Sequence, residues 1–430
     1  MRVHPEAIAE DFRRTRNRTE QLFALVAPEA YYERPIPLRH PIAFYDGHLD
    51  AFTWNKLFRE VLGEPSFNPG FDRLFARGID PASESEARRH AQSGWPERSA
   101  IRAYKDAVRK RLFAFLDSER VSVLAEGLHE VLLEHEAMHH ETLMYILHQL
   151  PAALMRAPDG LASPDLSAAP PPAMRPIPAG HAVLGARKGE FPFGWDNEFP
   201  RTEVWVPAFE IEATNVTNGQ FLAFVEAGGY ERPEFWDDAA WGWKTAHGVG
   251  HPFYWFARDG EWFYRDFFGD RPLPLSWPVL VTHAEARAYS RFVGMALPSE
   301  AEWHRAAFGD HPDQPYPWGT EAPSAEHGNF DFQLWSPTRV GAYPKGASAY
   351  GVHDLLGNGW EWTSSVFAPF PGFEPLKAYP EYSADFFDGQ HFVMKGASWF
   401  TDVRLLRRSF RNWFFGHYPY MYATFRCVAR

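Results

Sequence analysis

The sequence predicts a multidomain protein: an N-terminal all-α four-helix bundle and a C-terminal α+β domain with much irregular structure. Three observations predict it. Apolar residues recur at three- and four-residue spacings through the first 150 of the 430 residues. A Pro/Ala-rich, aperiodic stretch follows and reads as a linker over 153–180. Beyond it come short apolar runs between Gly/Pro turns, and 15 of the 17 tryptophans lie after residue 190. The two halves were built by different rules, with boundaries at 1–152 for the bundle and 181–430 for the second domain.

A first helix is expected over 7–27, where Ile8, Phe12, Leu22, Phe23 and Leu25 keep a helical period. A second begins near Ala43, with Asp46 as a possible N-cap and His48 in its first turn. Residues 82–118 hold a third, whose inward stripe is Ala100, Ala103, Tyr104, Val108, Leu112 and Phe115. The fourth spans about 120–149, with Leu128, Val131, Leu132, Met138, Leu143, Ile146 and Leu147 on its apolar face. In the second domain, helices are expected over 218–227, 282–292 and 299–307, the last opened by a capping box of Ser299 and Glu302.

Composition narrows the function. Hydrophobic residues make up 45% and charged residues 23%, a globular balance. The net charge of −12 divides as 20 basic against 23 acidic residues before position 151, and 23 against 32 after it. Neither half is basic, which argues against nucleic acid or an anionic membrane as partner. The sequence shows no signal-peptide-like run and no stretch long enough to span a bilayer. With Cys427 the only cysteine, no intrachain disulfide forms, and a cytoplasmic home is expected.

The chemistry centres on Glu134-His135-Glu136-Ala137-Met138-His139-His140-Glu141 in the fourth helix. At about 100° per residue, His135 and His139 lie about 40° apart on one face, a spacing that can bind one divalent ion. A partly buried, hydrogen-bonded helix face explains the same pair equally well. Glu141 lies roughly 200° round from His139 and points away, so a third ligand must come from elsewhere. In a bundle, metal sites are built from facing helices, and His48 is the candidate to face the pair.

Several stretches of the second half resemble the domain shared by formylglycine-generating enzymes and the ergothioneine-type sulfoxide synthases. They are Gly194-Trp195-Asp196-Asn197-Glu198-Phe199-Pro200-Arg201, Ala213-Thr214-Asn215-Val216-Thr217-Asn218-Gly219-Gln220-Phe221, Leu297-Pro298-Ser299-Glu300-Ala301-Glu302-Trp303, Gly351 through Thr363, and Lys395-Gly396-Ala397-Ser398-Trp399. With the bundle in front, called DinB-like in that family, the resemblance covers nearly the whole chain. It implies Fe(II) as cofactor, with His48, His135 and His139 as its ligands and Glu141 outside them. It implies small-molecule substrates: hercynine, a thiol or selenium donor, and O2. Tyr379, in Tyr379-Pro380-Glu381-Tyr382-Ser383, matches the family's proton-donating phenol, with Tyr382 beside it. Asn412 and Trp413 match positions that hold the trimethylammonium and carboxylate end of hercynine, and aromatic faces suit such a cation. The second domain is thereby expected to close the active site.

Two departures bear on the donor. Phe414 stands where synthases that use γ-glutamylcysteine carry an aspartate, and a phenyl ring cannot pair with an amine. Met138 stands where a glutamine is usual. The thiol-binding arginines have no clear match, although Arg77, Arg88, Arg89 and Arg98 lie in the right region. The stretches Phe44 to Phe52 and Glu134 to Thr142 resemble the selenoneine synthase branch, which implies a selenosugar donor; γ-glutamylcysteine and cysteine are the rivals. A formylglycine-generating activity is disfavoured, since that chemistry uses paired thiols. A zinc hydrolase is weakened because the second histidine comes one residue late for the His-Glu-x-x-His pattern. A non-catalytic binding module would make no use of the three histidines.

Overall fold

The computed structural model describes residues 5–37, 39–76 and 94–430, and the chain divides into two compact units, Met1–Asp159 and Gly160–Arg430. Arg77, Arg88 and Arg89 lie outside the described residues, as do positions 82–93; the helix expected over 82–118 begins only at Arg98, and Ala100 and Ala103 of its expected inward stripe are exposed.

In the first unit, four helices pack together: α1 (Pro5–Ala24), α2 (Ile42–Thr53), α4 (Arg98–Leu116) and α5 (Leu128–Leu147), with the short α3 (Pro69–Leu74) beside α2. Helices α1 and α2 each pack on both α4 and α5. Helix α1 ends at Ala24, short of the expected 27, so Leu25 lies beyond it; Ile8, Phe12, Leu22 and Phe23 form its buried stripe as expected, with Thr15, Arg16 and Thr19 buried among them. All twelve residues of α2 are buried, so this helix is the centre of the bundle rather than an amphipathic face. It continues into a π-helical turn, Trp54–Val61. Asp46 is not its N-cap. Pro41 occupies that position, and Asp46 lies a turn inside, accepting from the Tyr31 hydroxyl at 2.6 Å and from Lys105. His48 therefore sits in the second turn. The fourth helix starts later than expected, because a 3₁₀ segment, Glu119–Glu126, and a left-handed Gly127 (φ 86°) precede it.

The second unit is a set of small sheets packed with helices. Strand β1 (Met174–Ile177) lies inside the stretch read as linker; its order is set by antiparallel pairing with β4 (Phe209–Glu212), which also pairs with β12 (Val428–Ala429). Strands β2 (Gly180–Leu184) and β3 (Thr202–Val206) form a pair, and β5 (Trp255–Arg258), β6 (Glu261–Asp266) and β7 (Gly269–Pro272) form a meander. A four-stranded sheet has the order β10-β9-β8-β11, built from Asn412–Phe415, His391–Ala397, Gly359–Val366 and Ala423–Thr424. Helices α6 (Asn218–Glu226), α8 (His283–Phe292) and α9 (Glu300–Phe308) match the expected ones, each opened by a capping box, whereas α7 (Asp238–Ala246) was not anticipated. Trp303 of α9 packs with Ile177, Ile211, Val352 and Val428 in the core.

The motifs in this unit are largely structural. Glu198, Glu300, Glu302 and Glu361 are buried, and each receives an arginine from residues 407–430. Arg407 Nε donates to Glu198 at 2.8 Å, Arg411 grips Glu300 at 2.9 and 3.0 Å, Arg430 grips Glu302 at 2.7 and 2.8 Å, and Arg426 grips Glu361 at 2.8 and 2.6 Å. Bidentate geometry with both partners hydrogen-bonded is what permits charges this deep.

Candidate metal centre

Helix α5 carries His135 and His139 one turn apart, and α2 packs against it to bring His48 opposite. Ring centroids are 4.3 Å apart for His135 and His139, 4.8 Å for His48 and His139, and 5.2 Å for His48 and His135. Among the described residues these three form a group whose ligand atoms lie within 4.8 Å of one another. The expected pair and its third member are thus brought together.

Hydrogen bonds set which nitrogen is offered. His48 Nδ1 lies 2.7 Å from the Phe75 carbonyl and His139 Nδ1 lies 2.8 Å from the His135 carbonyl. A carbonyl only accepts, so each Nδ1 carries the proton and each Nε2 keeps its lone pair. The Nε2 atoms of His48 and His139 are buried with no hydrogen-bond partner. Burial pushes His48 down to about 4, with the Phe75 carbonyl opposing, and pushes His135 and His139 well below the usual histidine range, helped by each ring's neighbours in the trio. Neutral imidazoles with inward lone pairs are the form that binds a metal. An all-nitrogen face suits iron, zinc, copper or nickel, and leaves positions open for other ligands. Phe52 stacks on His135 at 3.5 Å and 4°, and Phe44 stacks on His48 at 4.9 Å, fixing the ring planes.

Behind the histidines runs a buried ionic network. Arg16 Nη1 lies 2.7 Å from Glu136 and 3.5 Å from Asp50, and its Nη2 donates to Thr53 at 2.7 Å. Arg109 grips Asp50 at 3.1–3.2 Å. Thr19 donates to Glu136 and lies 2.8 Å from His140 Nε2. Burial works against the charge on Asp50, but Arg16 and Arg109 outweigh it and hold that carboxyl below its usual range. Glu136 is committed to Arg16 and Thr19, which removes it as the general base a zinc hydrolase needs. Glu141 is buried, and Met138 is partly buried one residue before His139.

The second unit gathers some of its expected residues and separates one. Tyr382 stacks on Trp195 at 3.9 Å and meets the Trp413 edge at 5.3 Å, and Tyr379 lies 6.0 Å from Tyr382. One face of Trp413 is covered by Phe367 at 4.3 Å. Burial pushes the Tyr379 phenol up to about 12, with Glu381 adding to it, so it holds its proton at neutral pH. Asp196 ties the loop down, accepting from the Ser383 hydroxyl and from Leu376 N at 3.3 Å. Asn412 Oδ1 accepts from Trp413 N at 2.9 Å. Phe414 is next to Trp413 on β10, and neighbouring strand residues project to opposite faces; it stacks on Tyr418 at 5.0 Å instead. Grouping Phe414 with Trp413 in one substrate pocket is therefore not what the strand does. Arg98 lies over the Tyr31 ring at 4.5 Å.

Sequence reading missed Phe52 and the Phe75 carbonyl. Phe52 had a signal, four residues beyond His48 on the same helix. Phe75 had none, since a backbone oxygen 27 residues away leaves no trace in residue type.

Comparison with known proteins matches residues 11–143 to the DinB superfamily and residues 160–430 to the sulfatase-modifying factor enzyme 1-like domain. The chain is 33% identical over 433 residues to a hercynine oxygenase of Mycobacterium tuberculosis, covering 99% of this chain and 98% of that one. It is 28% identical to ergothioneine biosynthesis protein 1 of Neurospora crassa, covering 94% of this chain and 55% of that longer protein. To a formylglycine-generating enzyme of Streptomyces coelicolor it is 31% identical over 246 residues, 48% of this chain and 76% of that one.

Proposed function

The chain belongs to the ergothioneine-type sulfoxide synthase family, and we propose that it is a non-heme iron(II), O2-dependent synthase that forms a carbon–chalcogen bond at the imidazole C2 of hercynine. The observation that carries the reading is the trio of buried, neutral imidazoles in which His48 and His139 turn unpartnered Nε2 atoms inward. The similarity to the M. tuberculosis hercynine oxygenase, matched almost end to end, supports hercynine as the substrate. His48, His135 and His139 would hold the ferrous ion, which when bound supplies the one-electron chemistry needed to use dioxygen. Joining a selenol or thiol to C2 removes one hydrogen from each partner, and dioxygen is the oxidant: one oxygen atom leaves as water with those two hydrogens and the other is taken up by the chalcogen as its oxide. Tyr379 is the proton donor in this reading: its phenol stays protonated at neutral pH and is held in a loop that Asp196 ties down. Asn412, Trp413, Tyr382 and Met138 are the proposed substrate contacts.

For the donor we favour a selenosugar over γ-glutamylcysteine, because the stretches Phe44 to Phe52 and Glu134 to Thr142 resemble the selenoneine synthase branch. The sulfur reading has the names of the relatives in its favour. The test is to load the protein with iron without oxygen, add hercynine and each donor in turn, admit air and weigh the products. A selenium-containing adduct is expected. Coupling of γ-glutamylcysteine alone would refute the selenium reading, and no coupling with any donor would refute the synthase reading.

A further inference from the structure

Gly47 stands in the interior of α2, next to the metal-site candidate His48, although glycine is a poor helix residue. Its neighbour explains it. A Cβ at Gly47 would lie 2.4–2.5 Å from Cζ, Cε1 and Cε2 of Phe75, well inside any real contact. The Phe75 ring is fully buried, packed by Phe44, Phe71 and Tyr104, and has nowhere to swing. The backbone of Phe75 is held as firmly. Its N–H donates to Phe71 at 2.9 Å, Asn55 donates to the Asp72 carbonyl at 3.1 Å, and the Tyr104 hydroxyl donates to the Asp72 carboxylate at 2.9 Å. One residue therefore brackets two: the ring of Phe75 lies flat over Gly47, and its carbonyl accepts the Nδ1 proton of His48 at 2.7 Å.

We propose that Gly47 is a positioning residue for the metal centre: the missing side chain lets Phe75 seat against α2, and its carbonyl then holds His48 in the tautomer that offers Nε2. This rests on the reading of His48, His135 and His139 as metal ligands. A methyl group at position 47 pushes Phe75 off the helix and breaks the 2.7 Å bond, freeing His48 to rotate and to change tautomer. Loss of such an outer hydrogen bond lowers metal affinity about 10–100-fold.

The experiment titrates the full metal-free chain with cobalt(II), following the visible absorption of the bound ion, with far-ultraviolet dichroism to check the fold. Wild type is expected to bind, and Gly47→Ala to bind about 10–100-fold more weakly with a changed cobalt spectrum. The pair Gly47→Ala/Phe75→Leu is expected to recover most of the loss, because leucine lacks the ring atoms that collide while the backbone carbonyl stays. Wild-type affinity in Gly47→Ala overturns the proposal, and so does a folded double variant that binds no better than the single one. Should Gly47→Ala not fold, the double variant decides alone; its failure to fold also counts against a defect confined to the ring contact. A wild-type chain that takes up no cobalt overturns the metal-site reading and this inference with it, whereas equal binding by all three proteins overturns only the role of Gly47.

Discussion

Arg16→Met is the sharpest probe of the bundle. The guanidinium is 4% exposed, and its carboxylate partners Glu136 and Asp50 are each 1% exposed. Removing it leaves Glu136, a carboxyl that burial already pushes up, with Thr19 as its remaining near donor, while Asp50 keeps Arg109. Breaking a buried pair from one side costs about 3–5 kcal/mol, because a desolvated charge is left uncompensated. Against a typical domain stability of about 5–15 kcal/mol, that is about a fifth of the total or more. The double change Arg16→Met/Glu136→Leu removes both charges and fills the space with apolar atoms, so it should return to within about 1–2 kcal/mol of wild type. Urea unfolding followed at 222 nm, where the long helices of the first unit dominate the signal, measures both. A single-variant loss below about 1 kcal/mol would refute the reasoning, as the pair would then be behaving like an exposed one. So would a double variant less stable than the single.

Three further outcomes follow from the geometry. If the three histidines hold a metal as proposed, His139→Ala removes a ligand, not merely an outer contact, and should weaken cobalt or iron binding by more than the ~10–100-fold expected of an outer partner, read by metal analysis after dialysis. His283, buried and stacked on Phe392 at 3.7 Å, is pushed down to about 3 by burial. The unfolded chain takes up this proton near pH 6.5 and the folded one does not, so stability is full above 6.5 and falls as pH drops towards 3. The slope is about 1.4 kcal/mol per pH unit, and His283→Phe should flatten the unfolding-versus-pH curve by that amount. Asp196→Ala strips two hydrogen bonds from the loop that carries Tyr379 and should raise amide hydrogen exchange across 376–386, with little change in the bundle.

The sequence made the helices legible because their apolar periods are long, and it made the pair His135 and His139 legible because histidines one turn apart must share a face, with His48 joined to them by the bundle and the resemblance. It did not reveal the charges inside. Arg16 and Glu136 fall on the apolar stripes, four residues after Phe12 and Leu132, and residue type alone does not say that they, with Asp46 and Asp50, find partners in the interior; only packing of α1, α2, α4 and α5 shows it. Asp46 illustrates the error: it has the chemistry of an N-cap, but Lys105 and Tyr31 claim its oxygens from other parts of the bundle. In the second unit, motif spelling placed Trp413 and Phe414 together, whereas strand pleating parts them. The motif glutamates carry a family resemblance, yet their observed work is to receive arginines.

That last arrangement has a consequence for how the protein is made. The carboxylates at 198, 300, 302 and 361 leave the ribosome well before the guanidiniums at 407, 411, 430 and 426 that neutralise them. During synthesis the second unit therefore carries acidic groups whose partners have not yet emerged, and burying them before then would cost the desolvation of an unpaired charge. The nascent bundle faces no such wait, since its own ion pairs are complete by residue 159.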